Sequence, residues 1–383
     1  MNLKSVKTYL FSLVFALVMI LGFSTNAFAI SQSEADASPE IKLNEIKTDS
    51  LEKPESEHWY KFTITEPGYF RISLGPNSAA KTDDLGWGWK YYIYKKGDLT
   101  TTIGGDERID STQKSNWFAF SPDTFYIRVV NSSDNKFFAT DSQPFDLKVE
   151  FNKSDVWESE DNNKTNVANT IKVNTTYSGN LYYGEDIDWF KYTVPDDGIH
   201  SFTMAPDVNE SDSEKLKWGW NYTVYKAGSM TEVYSEDGIT KNTKSTQFKL
   251  KKGTYYIKIQ AKAKGDYFSP TGQVYNFSVK FMDYGQFLSK SSIKQLKPTI
   301  APKKVTVKWK KNEYAAGYEI YRSTKAKKGF KKIGTVTSAK KTSFVDKKAK
   351  SKKVYFYKVR GYVKVNGKKV YSKYSTVKKV KTK

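Results

Sequence analysis

The 383-residue chain is 38% apolar and 15% aromatic, carries 63 Lys+Arg against 41 Asp+Glu, and has no cysteine. This composition supports two or three domains with cores of their own and excludes disorder, a disulfide scaffold, a thiolate metal site and a cysteine nucleophile. Two histidines, His58 and His200, leave few ways to build a catalytic triad or a zinc centre, so binding is favoured over catalysis.

Lys4 and Lys7 precede an uncharged apolar run from Tyr9 to Phe23, and Ala27-Phe28-Ala29 has the small-x-small form of a signal peptidase site. Residues 1–29 are therefore expected to be a signal peptide cleaved after Ala29. The apolar run is shorter than the roughly 20 residues of a membrane span, and nothing downstream is long and apolar enough to replace it. A mature protein outside the cytoplasm follows, secreted or held at the cell envelope.

Charge divides the remainder. Residues 286–383 hold 31 Lys+Arg and three acids, Glu313, Glu319 and Asp346, whereas residues 1–285 hold 32 and 38. The net +22 belongs to the C-terminal quarter. A polar stretch with Pro298 and Pro302 is expected to be the linker, over residues 285–302.

Within the acidic part, four blocks recur at a shift of 130 or 131 residues. His58-Trp59-Tyr60-Lys61-Phe62 matches Asp188-Trp189-Phe190-Lys191-Tyr192, and Trp87-Gly88-Trp89-Lys90-Tyr91 matches Trp218-Gly219-Trp220-Asn221-Tyr222. Thr124-Phe125-Tyr126-Ile127 matches Thr254-Tyr255-Tyr256-Ile257, and Phe145-Asp146-Leu147 matches Tyr275-Asn276-Phe277. Two copies of one domain are expected, over 40–152 and 153–284. Each block alternates apolar and polar residues with period two and lies between Gly, Pro, Asn and Asp. The fold class expected is all-β: two tandem, jelly-roll-like β-sandwiches followed by a third. Trp89, Trp220, Tyr91 and Tyr222 are expected in the cores. Tyr92, Tyr94 and Tyr225, on the other side of the strands, are the contact candidates for a polysaccharide or a fibrous protein, because aromatic rings join a large apolar face to a polar edge.

The second copy reads Glu158-Ser159-Glu160-Asp161-Asn162-Asn163, Ser178-Gly179-Asn180-Leu181, Asp186-Ile187-Asp188-Trp189-Phe190 and Gly253-Thr254-Tyr255-Tyr256. Over its whole length it resembles the bacterial pre-peptidase C-terminal domain, a family that includes collagen-binding domains of secreted collagenases. The resemblance implies a non-catalytic β-sandwich, often one that binds calcium. The residues themselves also suit Ca2+, which takes six to eight oxygen ligands. The 158–163 segment concentrates carboxylates and amides, and Glu185, Asp186 and Asp188 add three carboxylates on the turn before a strand. The family's ligands map onto Glu158, Glu160, Asn162 or Asn163, Glu185 and Asp188. The first copy has His58 in place of Asp188 and lacks the dense acid-amide run, so no calcium is expected there and His58 is read as structural. A glycosidase would need two carboxylates at a fixed separation. The cluster recurs only partly between copies, and no nucleophile-elbow pattern is visible, so no enzymatic activity is expected.

In the last quarter, Trp309, then Gly317-Tyr318-Glu319-Ile320-Tyr321-Arg322, then Tyr355-Phe356-Tyr357-Lys358-Val359-Arg360 resemble in order a bacterial fibronectin type III domain, over 303–383. The resemblance makes Trp309 a core residue and Tyr355 the corner tyrosine. Asn366-Gly367 is a two-residue hairpin signal. A surface of one sign attracts polyanions, so an anionic cell-wall polymer is the expected partner of this module. Intracellular nucleic acid is not, given the signal peptide. The reading is a secreted, non-catalytic surface or matrix protein; the alternative is an accessory or folding-helper subunit of a secreted peptidase.

Overall fold

The computed structural model describes residues 30–52, 56–80, 88–132, 143–181, 186–209, 216, 219–262, 272–302 and 304–383. The expected signal peptide, Trp87, Trp218 and Glu185 lie outside these residues. The described chain is nearly all β, in antiparallel sheets stacked as sandwiches, as the alternation of apolar residues requires.

The first unit opens with a short helix, α1 (Gln32–Asp36), and continues through β1 (Ile46–Leu51), β2 (Glu57–Thr63), β3 (Gly68–Pro76), β4 (Trp89–Lys95), β5 (Gly104–Ile109), β6 (Gln113–Lys114), β7 (Thr124–Asn131) and β8 (Gln143–Lys153). Its sheets run β1-β8-β3-β6 and β2-β7-β4-β5. The second unit holds β9 (Asn169–Thr170), β10 (Thr176–Asn180), β11 (Ile187–Val194), β12 (Gly198–Pro206), β13 (Trp220–Lys226), β14 (Thr231–Ile239), β15 (Thr243–Lys244), β16 (Phe248–Leu250), β17 (Gly253–Ala261) and β18 (Val274–Asp283). Its sheets run β10-β18-β12-β15, with β16 also on β12, and β14-β13-β17-β11-β9. The two strand orders are equivalent at the repeat shift: Asp49 pairs with Phe145 where Gly179 pairs with Tyr275. Trp89, Tyr91, Trp220 and Tyr222 are buried in the two cores, as their side of the strand predicts.

The last unit comprises α2 (Tyr284–Lys290), β19 (Thr299–Ala301), β20 (Lys304–Lys308), β21 (Gly317–Ser323), β22 (Lys331–Val336), β23 (Ser343–Asp346), β24 (Val354–Val365), β25 (Lys368–Tyr371) and β26 (Lys378–Lys381). A three-stranded sheet, β19-β20-β23, faces a sheet ordered β22-β21-β24-β25, with β26 also on β24. Trp309 lies in the core, and the Tyr355 hydroxyl accepts the Lys350 amide at 3.1 Å. Asn366 and Gly367, both at positive φ, turn β24 into β25.

The stretch expected to be a linker is instead built into this unit. Asp283 caps α2 by accepting the Gln286 amide at 3.0 Å, and Leu288 and Ile293 join Trp309 in the core. A seven-residue helix is too short to display a 3.6-residue stripe, which is why its polar composition reads as a linker. Among the described residues, no helix is long and apolar enough to cross a membrane.

Candidate cation site

Glu158 runs beside β10, its amide bonded to the Ser178 carbonyl at 2.9 Å. Its carboxylate lies over Gly179, where a Cβ would stand 2.5 Å from Glu158 Cδ and 2.6 Å from the Tyr275 hydroxyl. The Gly-x-Leu strand therefore has a steric reason: the glycine leaves room for an acid. Asp188, at the start of β11, and Glu160, in the loop, complete a group whose carboxylate oxygens lie within 4.8 Å of one another. All three side chains are buried.

The hydrogen bonds within the group do not neutralise it. Glu158 Oε1 accepts the Asn180 amide at 2.5 Å. The Tyr275 hydroxyl sits 3.0 Å from Glu158 Oε2 and 2.5 Å from Asp188 Oδ2, yet it has one proton to give. Asp188 Oδ1 and Asn162 Oδ1 are buried with no donor. Burial, then the charge of Glu160, pushes the Glu158 carboxyl well above its ordinary range. Burial followed by Asp186 and Asp188 does the same to Glu160, and burial followed by Glu158 and Asp186 to Asp188. Uncompensated carboxylates of this kind either hold protons or hold a cation.

The donor set fits Ca2+. Oxygens on opposite sides of a calcium ion stand about 4.8 Å apart at the usual 2.3–2.6 Å ligand distances. Three carboxylates and the orphaned Asn162 amide oxygen form a hard, all-oxygen set with an excess of negative charge. Asn162 is brought into the group, but Asn163 is not: its Oδ1 accepts the Ile187 amide at 3.0 Å and caps β11. Glu185 lies outside the described residues. Gly179, Asn180 and Tyr275 belong to the site although none is an acid. The signal for Tyr275 was its hydroxyl, since the first copy has Phe145 at that position. Asn169 pins the loop through the Ser159 amide (2.8 Å) and the Asn162 Nδ2 (3.2 Å), and the first unit backs it through the Glu160 amide to the Ala119 carbonyl (2.5 Å).

The first unit has a different solution at the same place. Asp49 stands where Gly179 does, so its own carboxylate takes up the space. Asp49 Oδ2 accepts the Tyr60 hydroxyl at 2.8 Å, with His58 Nδ1 at 3.4 Å. Among the described residues, one acid, one hydroxyl and one imidazole stand where the second unit has three acids.

Of the three contact tyrosines, Tyr92 and Tyr225 are half-buried, but Tyr94 is buried. This corrects the expectation for Tyr94. Tyr94 and Tyr126 pack under Ala35 of α1, with Trp59 stacked on Tyr94 at 5.2 Å, and the helix is fixed by Gln32 donating to the Tyr126 hydroxyl at 2.8 Å. In the second unit the counterparts Trp189, Tyr225 and Tyr256 stay half-buried, with Trp189 5.7 Å from Tyr225 and 6.3 Å from Tyr256. The second unit therefore presents the aromatic face that the first unit covers.

These features define an all-β protein of stacked sandwiches with a buried acid cluster in its second unit. No protein-family model and no curated protein matches the sequence. Among solved structures, the pre-peptidase C-terminal domain of collagenase from Bacillus anthracis is 15% identical, over 30% of this chain and 94% of that one, with a TM-score of 0.24. An Fn3-like protein from Clostridium thermocellum is 21% identical, over 25% of this chain and 95% of that one, with a TM-score of 0.22. The beta-1,2-glucanase from Parabacteroides distasonis is 11% identical, over 51% of this chain and 30% of that one, with a TM-score of 0.21.

Proposed function

We propose that the chain is a secreted, non-catalytic adhesion protein whose last unit docks on anionic polymers of the cell envelope or matrix, while the preceding sandwiches engage an extracellular polysaccharide or fibrous protein. One observation carries this reading: all three acids of the last unit are paired with cations, two of them buried within the unit and the third, exposed, across to the second unit. Glu319 and Asp346 are buried against Arg360 and Arg322 at 2.8 Å each, and Glu313 is bridged to Lys249 of the second unit at 2.6 Å. The outward charge is therefore cationic almost without interruption, a field that attracts polyanions and weakens with salt. Calcium, held in the second unit by Glu158, Glu160, Asp188 and the Asn162 amide oxygen, would neutralise the buried acids and fix the loop carrying them. The half-buried aromatic face around Tyr225 is the contact surface of that unit, with Tyr92 the remaining candidate in the first.

The test is retention of the purified chain on peptidoglycan, teichoic acid, collagen and chitin at moderate salt. Capture on an anionic polymer is expected. Failure to bind any of the four would end the adhesion reading.

A further inference from the structure

Resting on that reading, we infer that docking is focused on the outer face of the β22-β21-β24-β25 sheet and that its ligand is an acidic polysaccharide. Cross-strand register places Tyr321 beside Lys358 and Lys332, Glu319 beside Arg360, and Tyr371 beside Tyr362. Cations and aromatic rings are thus interspersed on one face of the sheet.

The cations are held in two ways. Glu319, 1% exposed, accepts Arg360 Nε at 3.1 Å, Arg360 Nη2 at 2.8 Å and the Tyr321 hydroxyl at 2.8 Å, with Lys332 and Lys369 Nζ at 3.4 Å each. One buried acid therefore gathers three cations, which leaves a surplus above it. Lys358 is different. Its Nζ lies 3.6 Å from the centroid of the Tyr374 ring and 4.6 Å from that of Phe330, and among the described residues it has no carboxylate within ion-pair distance. Aromatic faces orient an ammonium without neutralising it. Lys358 is a positioned cation with its charge intact, and Arg360, stacked on Tyr371 at 3.6 Å, stands two residues along the same strand face.

The rings also bear on what kind of polyanion fits. Tyr371 and Tyr374 each carry a cation over one face, which removes that face as a stacking platform. Stacked nucleobases need such platforms. A chain of sugars with carboxylates meets hydroxyls and edges through its own hydroxyls and C–H groups while its acids reach the cations.

Binding of the full-length mature chain to polygalacturonate, with neutral dextran and a single-stranded oligonucleotide as comparators, tests this. Lys358→Gln with Lys332→Gln removes two charges from the face. Lys347→Gln with Lys348→Gln removes two exposed charges from the turn after β23, in the other sheet. The face pair is expected to weaken polygalacturonate binding roughly tenfold and the distant pair roughly threefold or less. Tyr374→Ala, which keeps every charge, is expected to weaken it about threefold. Equal losses from both pairs would overturn the focused site but leave diffuse docking intact. Tighter binding of the oligonucleotide with the same variant dependence would overturn the choice of ligand. No binding of the parent chain to any polyanion would overturn the docking reading and this inference together. Matching thermal melts of the variants show that binding, not folding, was changed.

Discussion

His200 offers a test of the second unit's packing that is independent of any ligand. It lies on the core side of β12 with Phe202 and Met204, is 1% exposed, and has neither ring nitrogen hydrogen-bonded. Its surroundings are Phe281, Phe248 and Tyr192, with ring centroids 5.0, 6.0 and 6.2 Å away. Burial lowers its pKa from 6.5 to about 4. The unfolded chain takes up the His200 proton near pH 6.5 and the native chain only near pH 4, so between these values the unfolded state binds more protons. Stability is complete above about pH 6.5 and falls as the pH is lowered, by about 3 kcal/mol once both states are protonated. For a unit of this size that amounts to on the order of 10 °C in melting temperature. The raised carboxyls of the acid cluster act in the opposite direction when no metal is bound, because there the native state holds the extra protons. A comparison of His200→Phe with the parent cancels that contribution. Urea unfolding followed by tryptophan fluorescence from pH 8 to pH 4 is expected to show the variant pulling ahead of the parent by about 3 kcal/mol in the second unit's transition. Parallel curves for parent and variant between pH 6.5 and 4 would refute a neutral, unpaired imidazole in this core.

The acid cluster supports two further predictions. Gly179→Ala drives a Cβ into the Glu158 carboxylate and is expected to abolish calcium-dependent stabilisation, read as the melting temperature with calcium and with chelator. Glu160→Gln with Asp188→Asn is expected to remove the same response and to raise the melting temperature in chelator, because it relieves repulsion between buried acids; a calcium response that survives would exclude these residues as ligands. In the last unit, Glu319→Ala leaves Arg360, Lys332 and Lys369 clustered without their acid and is expected to cost about 3 kcal/mol in chemical unfolding. A loss below about 1 kcal/mol would mean that solvent screens the cations.

The parts of the fold legible in the sequence are those written by period and repetition. The alternation in Trp89 to Ile93 and in Trp220 to Val224 puts the right side of each strand inward, and the 130-residue register anticipates two equivalent strand orders. Glu158, Glu160 and Asp188 could be named because acids at such density repel one another unless protons or a cation offset their charge. The role of Gly179 could not, and that of Tyr275 is marked only by the hydroxyl that Phe145 lacks, because both depend on β10 and β18 lying side by side, and strand pairing is not visible in local sequence. The burial of Tyr94 depends on a five-residue helix, too short for a periodic signal, although Ser31 and Glu34 do form a capping box that marks its start. Leu288 and Ile293 are hidden for a similar reason: apolar residues scattered without a regular period through a polar stretch do not show which of them join Trp309 in a core.

The proposed docking of the last unit on polyanions works by charge. Its most direct measurement is the salt dependence of polygalacturonate binding by the whole mature chain, from about 0.05 to 0.5 M NaCl. Binding at low salt that weakens steeply and continuously as salt rises is expected. Retention indifferent to salt, or absent at the lowest ionic strength, would contradict it.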